Sequence, residues 1–125
     1  MSEARKVNKI LLVDDDKVQH MINRKVIGRI DPELELVFFD NPLLALGWLE
    51  DHEADILLLD VNMPQMKGWE FVEKMQEKGI EMEVKVLTSS IDPKDLEKSK
   101  DYPLITGFLL KPIQKSDIDQ MLGLV

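Results

Sequence analysis

The sequence reads Leu-Leu-Leu-Asp-Val-Asn-Met-Pro at residues 57–64, and this stretch has the pattern of a buried strand that ends in a carboxylate. A continuous apolar run is typical of a parallel strand that is covered by helices on both faces. The run ends at Asp60, and in open α/β sheets the functional groups lie beyond the carboxyl ends of the strands. We therefore take Asp60 as the first candidate for a functional carboxylate.

Similar apolar runs precede and follow this stretch, with helical patterns between them. The predicted strands cover residues 9–13, 36–39, 56–60, 84–88 and 107–110. This alternation predicts an α/β fold, a doubly wound parallel sheet of five strands with helices on both faces. The length of 125 residues suits one hydrophobic core, so we expect residues 1–125 to form a single domain without an output domain.

The composition restricts the partners and the compartment. The chain has 24 acidic and 16 basic residues and a formal charge of −8, which would repel nucleic-acid phosphates and anionic membranes. It has no cysteine, which excludes disulfides, thiolate metal sites and cysteine nucleophiles. No stretch approaches the roughly 20 apolar residues of a membrane span, so we expect a cytoplasmic protein.

The first helix is predicted to bury an apolar stripe whose members recur at spacings of three and four: Val18, Met21, Ile22, Val26 and Ile30. Asn23 falls on the opposite side of this helix. His20 and His52 have no partner pattern, so we interpret both as packing residues rather than as metal ligands or proton relays.

The other helices are predicted from their caps and their apolar residues. Asp16 and Asp92 are predicted N-caps, and Asp40-Asn41-Pro42 is predicted to supply the cap and the first-turn proline of the second helix. Ser116 is the predicted cap of the last helix, whose inner face includes Val125. The helix after Asp92 has few apolar residues, so the segment 94–101 is expected to be the most weakly packed helix and a candidate for movement.

The carboxyl ends of parallel strands meet at one edge of a sheet, which predicts a shared site for the polar residues at the strand tips. These residues are Asp14, Asp15, Asp16, Asp60, Thr88 and Lys111. A cluster of carboxylates without cysteine or histidine is typical of a site for a hard cation, and Mg²⁺ is the expected one. A divalent cation also relieves the repulsion between neighbouring carboxylates.

The same set of residues is suited to phosphoryl transfer. Asp60 could attack a phosphoryl group and form an aspartyl phosphate, since carboxylates are among the side chains that form covalent intermediates. Lys111 would then be a second cation on the phosphoryl oxygens, and Thr88 would be a hydroxyl donor to them.

Four motifs in order along the chain resemble those of response-regulator receiver domains, in particular single-domain chemotaxis regulators. They are Val-Asp-Asp at 13–15, Leu-Asp-Val-Asn-Met-Pro at 59–64, Thr-Ser-Ser at 88–90 and Phe-Leu-Leu-Lys-Pro at 108–112. The resemblance implies a flavodoxin-like fold with strand order 2-1-3-4-5. It also implies a two-component signalling protein that catalyses only its own aspartyl phosphorylation and dephosphorylation.

The resemblance assigns the metal and phosphoryl ligands residue by residue. Asp60 is implied to be the phosphoacceptor. Asp15 is implied to be a direct Mg²⁺ ligand, with Asp14 acting largely through water. The backbone carbonyl of Asn62 is implied as a further ligand.

It also assigns the residues that would respond to phosphorylation. Thr88 and Lys111 match the family's hydroxyl and lysine, and Phe108 stands where receivers carry an aromatic residue that rotates. Lys111-Pro112 resembles the family's cis peptide, and X–Pro bonds adopt cis most readily.

The chain departs from common receivers at two places. Lys67-Gly68 stands where many receivers have Asp-Gly, a change on the solvent side that is expected to leave the chemistry intact. In the loop formed by Ser89 and Ser90, the small Ser90 replaces the bulky or acidic residue of some relatives that affects the attacking water.

The partners implied by the resemblance are proteins. Phosphate would come from the phosphohistidine of a sensor histidine kinase or a histidine phosphotransfer protein, and an unknown downstream protein would bind a changed surface. No nucleic-acid or membrane partner is expected. The short last helix favours a monomer or a weak dimer.

Three alternatives remain open at this point. A Mg²⁺-dependent phosphatase with an aspartate nucleophile also places a strand-end carboxylate beside the metal, but it needs a second acid where this chain has Asn62. A phosphorelay intermediate would pass its phosphoryl group on to another histidine. A binding module that is never phosphorylated would have no reason to keep five polar strand tips.

Overall fold

The computed structural model describes residues 7–123, so Val125 lies outside the described residues. In this range five strands alternate with five helices. The elements are β1 Lys9–Val13, α1 Lys17–Ile30, β2 Glu35–Phe39, α2 Pro42–Leu49, β3 Ile56–Leu59, α3 Gly68–Glu77, β4 Glu83–Thr88, α4 Pro93–Ser99, β5 Ile105–Leu110 and α5 Lys115–Leu122. Within residues 7–123, no helix is long and apolar enough to cross a membrane.

The strands form one parallel sheet in the order β2-β1-β3-β4-β5, which confirms the predicted fold. Successive side chains of a strand point to opposite faces. Leu11 and Leu57 therefore join a core with α2 and α3 on one face, while Ile10 and Leu58 join a core with α1 and α5 on the other. Burial on both faces explains why β1 and β3 are continuous apolar runs.

Three helices begin where their capping residues predict. Asp16 Oδ1 accepts hydrogen bonds from the backbone N–H groups of Val18 and Gln19. Asn41 and Asp92 cap α2 and α4 in the same way, each followed by a proline in the first turn. These caps fix the points at which the chain leaves the site edge of the sheet.

The predicted inner face of α1 is correct only in part, since Val26 and Ile30 pack against the core as expected. Val18 and Met21 are exposed, whereas Gln19, His20 and Asn23 are buried. The Gln19 side-chain amide donates to Asn23 Oδ1 at 3.0 Å, so the two polar side chains satisfy part of each other's hydrogen-bonding capacity inside the fold. Apolar spacing alone could not distinguish this face from the neighbouring one.

The predicted cap of the last helix is also wrong. α5 begins two residues before the position that a Ser116 cap would set, with Gln114 as its N-cap. The Asp117 carboxylate accepts the backbone N–H of Gln114 at 2.9 Å, which fixes the earlier start.

The weak packing predicted for α4 is confirmed. None of the residues that the structure describes in α4 is buried, and Leu96 is exposed. The chain after α4 is instead held by Tyr102, whose hydroxyl donates to Glu73 of α3 and whose ring stacks on Trp69. α4 therefore depends on contacts near its C-terminal end.

Candidate functional site

The strand tips meet in one cleft of about 710 Å³ at the carboxyl edge of the sheet. Its lining residues come from the ends of β1, β3, β4 and β5 and from the start of α4: Asp14, Asp15, Asp16, Asp60, Asn62, Thr88, Ser89, Ser90, Asp92, Asp95 and Lys111. Six carboxylates and one lysine thus share this cleft among the described residues.

Asp14 is the most buried of the acids, with 2% of the residue exposed. Its backbone N–H donates to the carbonyl of Phe39 at the end of β2, and its Oδ1 accepts the backbone N–H of Asp16 at 2.9 Å. Burial raises the pKa of the Asp14 carboxyl, and the charge of Asp60 raises it further, against the opposing effect of Lys111. A further positive charge near this buried carboxyl would stabilise its ionised form.

Lys111 supplies the positive charge of the cleft. Its Nζ lies 2.7 Å from Asp14 Oδ2 and 3.6 Å from Asp60 Oδ2. Burial disfavours the ammonium, but the hydrogen bond and charge of Asp14 and the charge of Asp60 outweigh it and raise the pKa of Lys111. Its backbone N–H donates to the Thr88 carbonyl at 2.8 Å. The Lys111–Pro112 peptide is cis, as the resemblance implies.

Asp60 follows directly after β3 and is 7% exposed. Its backbone N–H donates to the Val13 carbonyl, and its Oδ1 accepts the backbone N–H of Asn62 at 3.0 Å. These two contacts point the carboxylate into the cleft from a rigid strand end. The remaining oxygen, Oδ2, lies 3.6 Å from Lys111 Nζ, so these two groups form an ion pair that is looser than the one between Lys111 and Asp14.

The loop after β3 is held tightly beside Asp60. The Gly68 backbone N–H donates to the Val61 carbonyl, and a Cβ added at Gly68 would lie 2.7 Å from Val61 Cα. Asn62 and Lys67 form a short antiparallel bridge within this loop. Only glycine fits this close approach, so the start of α3 is tied to the position of the Asp60 backbone.

Thr88 lies at the end of β4, the strand that borders β3 on the side away from β1. The Thr88 hydroxyl donates to the Ser90 carbonyl at 3.0 Å, so it is engaged within its own loop rather than with Asp60. Ser89 and Ser90 are exposed at the mouth of the cleft.

Two of the predicted site residues do not line this cleft. Phe108 and Pro112 instead line a separate groove of about 430 Å³ beside β5, which also contains Ile91 and Leu110. Phe108 is half-buried there. This groove meets the main cleft at Lys111, which lines both.

The acidic residues fit a divalent cation. One carboxylate oxygen from each of Asp14, Asp15 and Asp60 can be chosen so that all three lie within 4.8 Å of one another. Asp15 is exposed while the other two are buried, so a cation here would keep contact with water, as Mg²⁺ commonly does. Oxygen ligands alone, with more carboxylate charge than Lys111 can balance, favour a hard cation.

Comparison with known proteins decides the family. The family model described as response regulator receiver domain matches residues 10–123. This chain belongs to that family. Receiver domains accept a phosphoryl group on an aspartate and bind Mg²⁺ in an acidic pocket, and the acidic cluster of this receiver contains Asp14, Asp15 and Asp60.

Individual relatives support the same assignment. The receiver is 32% identical over 110 residues to the cyclic di-GMP phosphodiesterase response regulator RpfG of Xanthomonas campestris pv. campestris, covering 87% of this chain and 29% of that one. It spans half or less of the length of the curated relatives it matches.

Solved structures resemble the receiver over nearly its whole length. The Vibrio cholerae chemotaxis protein CheY4 is 28% identical, with a TM-score of 0.76 over 95% of this chain and 98% of that chain. A two-component response regulator from Legionella pneumophila is 25% identical, with a TM-score of 0.82 over 94% of this chain and 98% of that chain.

Sequence reasoning missed two acids of the receiver's cleft. Asp92 and Asp95 lie at the start of α4 and line the cleft. Asp92 was assigned only a capping role, which it has, because its Oδ1 accepts the backbone N–H of Lys94. The proximity of the β4–α4 loop to the other strand tips could have suggested that an acid in the first turn would face them.

Proposed function

We propose that Asp60 is the phosphoacceptor of this receiver and that phosphorylation there changes a protein-binding surface. The observation that supports this most strongly is the buried Asp60 carboxylate, which shares one cleft with two further metal-suited acids and with Lys111.

The chemical step is an in-line displacement at phosphorus. A carboxylate oxygen of Asp60 forms the new P–O bond while the P–N bond to the donor histidine breaks, and the imidazole leaves with the electron pair and takes up a proton. Asp15, Asp14 and the Asn62 carbonyl would hold Mg²⁺, which supplies charge neutralisation at the phosphoryl oxygens when bound.

Lys111 and Thr88 would bind the phosphoryl group on Asp60. The phosphoryl group introduces a charge of about −1.5 to −2, which competes with Asp14 for the Lys111 ammonium. The Thr88 hydroxyl can exchange the Ser90 carbonyl for a phosphoryl oxygen, since its present bond lies within a short loop. We propose that Phe108 and the loop before α4 then move, because this helix has little buried surface to hold it.

The energy available suggests a partial switch. Moving an equilibrium from 1:99 to 99:1 requires about 5.5 kcal/mol, whereas one hydrogen bond to a charged group contributes about 1.5–3 kcal/mol. We therefore propose that phosphorylation shifts the population in part and that a downstream protein completes the change by binding the switched form.

The proposed partners are those that this chemistry requires. A sensor histidine kinase or a histidine phosphotransfer protein donates the phosphoryl group, and a downstream protein reads the altered surface. We propose that residues 1–125 act as one receiver unit whose only turnover is its own phosphorylation and dephosphorylation. The support is that one sheet with cores on both faces uses elements from the whole described range.

The direct test is Mg²⁺-dependent labelling by acetyl phosphate or by a phosphorylated kinase. Wild-type protein should take up label, Asp60→Asn should not, and the exposed Asp51→Asn serves as a matched control that should behave as wild type. Label on Asp60→Asn, or full labelling after chelation of Mg²⁺, would refute the assignment. Steady turnover of a small phosphoester would instead revive the phosphatase alternative.

A further inference from the structure

We propose that His20 is a positioning residue for the Mg²⁺ site, acting on Asp14 through the carbonyl of Phe39. This inference rests on the proposed metal-binding role of Asp14 and extends it to a residue of α1 outside the cleft lining. Neither its spacing in the sequence nor a place in the cleft indicated this role.

The geometry joins His20 to Asp14 through one shared acceptor. His20 Nε2 lies 3.1 Å from the Phe39 carbonyl oxygen, and the Asp14 backbone N–H donates to the same oxygen at 3.1 Å. A carbonyl oxygen has two lone pairs and can accept both hydrogen bonds at once. The last residue of β2 is therefore held by two donors, one from the acidic loop and one from α1.

The direction of the histidine bond is fixed by its partner. A carbonyl can only accept, so Nε2 must carry the proton. Nδ1 is buried and has no hydrogen-bond partner among residues 7–123. All of the ring's hydrogen bonding within that range is thus at Nε2, and a substitution that removes this donor removes one defined contact.

The imidazole ring of His20 is buried and packed against a neighbouring aromatic ring. His20 is 8% exposed, and its ring meets Phe38 edge-on, with centroids 5.2 Å apart. The Arg24 guanidinium covers the Phe38 ring at 4.5 Å from its centroid. This packing restricts the imidazole to the orientation in which Nε2 faces the end of β2.

The end of β2, which accepts the Asp14 N–H, is held by the sheet from one side only. β2 is an edge strand, paired on one side only by β1, and Phe39 is its last residue, opposite Val13. Without His20, the Asp14 N–H would be the donor left on this carbonyl, and the end of β2 could shift relative to β1. Any such shift is transmitted to the Asp14 carboxylate through its own backbone.

His20 also contacts the other end of the acidic loop. Its backbone N–H donates to the Asp16 carbonyl, and the Asp16 N–H in turn donates to Asp14 Oδ1. One residue of α1 is therefore linked to the acidic segment 14–16 by its main chain and to the neighbouring strand by its side chain. This arrangement orients a carboxylate before any metal arrives, which lowers the cost of binding.

The expected effect is on Mg²⁺ affinity. Outer partners of metal ligands typically change affinity by about 10- to 100-fold when they are substituted. His20 acts through one further group, so we expect His20→Leu to raise the Mg²⁺ dissociation constant by about three- to tenfold, below that range. His20→Gln, which places an N–H donor at a similar reach, should restore most of the affinity.

The matched control is His52. Its Nδ1 lies 3.0 Å from the Trp48 carbonyl, so it makes the same class of bond, but it follows α2 and does not line the cleft that contains Asp14, Asp15 and Asp60. His52→Leu should leave the Mg²⁺ affinity unchanged. The comparison separates loss of a histidine-to-carbonyl bond in general from loss of this particular one.

The experiment is an amide NMR titration of each protein with MgCl₂, at a pH well above the ordinary histidine pKa of about 6.5. A weaker His20→Leu, a restored His20→Gln and an unchanged His52→Leu support the proposal. Wild-type affinity in His20→Leu overturns it, as does equal weakening in both His20 variants, because packing alone would then explain the effect.

Two further outcomes are decisive. If His20→Leu does not fold, His20→Gln alone tests the proposal, and a tenfold loss of affinity in that variant would contradict it. If wild-type protein binds no Mg²⁺, the proposed function fails, whereas normal wild-type binding with an unaffected His20→Leu overturns only this inference.

Discussion

Replacing Lys111 by methionine should make the stability of this receiver depend strongly on Mg²⁺. Lys111 Nζ lies 2.7 Å from Asp14 Oδ2 and 3.6 Å from Asp60 Oδ2, and its side chain is 14% exposed. Methionine keeps much of the length of the side chain but removes the charge. Asp14 and Asp60 then face each other in a buried cleft without their cation.

The size of the effect follows from these distances. Coulomb's law gives about 6 kcal/mol for the 2.7 Å pair at an effective dielectric constant of about 20, before the cost of desolvating both ions. Removing one partner of a buried ion pair costs about 3–5 kcal/mol. Asp14 can bind a proton, which removes part of the cost of its unpaired charge. We therefore expect Lys111→Met to lose about 2–4 kcal/mol of unfolding free energy without metal.

Urea unfolding followed by tryptophan fluorescence measures this loss. Neither Trp48 nor Trp69 lines the cleft, so their signal reports unfolding rather than metal binding. Millimolar Mg²⁺ should stabilise Lys111→Met more than wild type, because no lysine competes for the acids. A tenfold tighter metal site would add about 1.4 kcal/mol to that stabilisation.

A double-mutant cycle tests the reasoning behind this prediction. Asp14→Asn removes the closer partner, so Lys111→Met should cost clearly less in that background than in wild type. Equal costs in the two backgrounds would refute the idea that this ion pair organises the cleft. Equal stabilisation of Lys111→Met and wild type by Mg²⁺ would refute the idea that Lys111 and the metal compete for the same acids.

The remaining predictions concern the elements that join the cleft to the rest of the fold. Tyr102 is the only tyrosine, and its hydrogen bond to Glu73, together with burial, raises its pKa from 10.0 to about 12. The folded state therefore holds this proton more tightly than the unfolded state, so the free energy of unfolding should fall as pH rises from 10 to 12. In Glu73→Gln, the midpoint of the tyrosinate absorbance change should lie at a lower pH than in wild type. Gly68→Ala would place a Cβ 2.7 Å from Val61 Cα and should cost about 1–3 kcal/mol in urea unfolding. The control Gly47→Ala, where nothing lies within 4 Å of the added Cβ, should instead be neutral or stabilise by up to about 1 kcal/mol.

The sheet could be predicted from the sequence because its burial pattern is extreme. β1 and β3 are covered on both faces, and a strand of this kind can only be a continuous apolar run. The caps Asp16, Asn41 and Asp92 were also readable, since each is a side-chain oxygen directly before a helical pattern.

The inner face of α1 was predictable from apolar spacing only in its second half, where Val26 and Ile30 pack against the core. Gln19 and Asn23 bond to each other within the fold, while Val18 and Met21 are left exposed. A side-chain pair of this kind gains its burial from a partner four residues away and from tertiary packing, neither of which a hydropathy pattern contains. The same limitation hid the role that we propose for His20.

The membership of the site was predictable, but its internal contacts were not. Strand topology alone places Asp14, Asp60, Thr88 and Lys111 at one edge, and the structure brings them together there. Strand topology could not show that Lys111 lies closer to Asp14 than to Asp60, because the local geometry determines which partner a long flexible side chain contacts. Strand topology also could not show that the Thr88 hydroxyl donates to the Ser90 carbonyl of its own loop.

We propose that Asp60 receives the phosphoryl group, and reductive trapping of the acyl phosphate is the direct test of this assignment. The protein is treated with acetyl phosphate and Mg²⁺, reduced with borohydride, digested and mapped by mass spectrometry. Reduction converts a phosphorylated aspartate into homoserine, so the modified position can be read from the peptide. We expect homoserine at residue 60 alone, and only when Mg²⁺ is present. Homoserine at another aspartate, or at none under conditions in which the protein binds Mg²⁺, would contradict it.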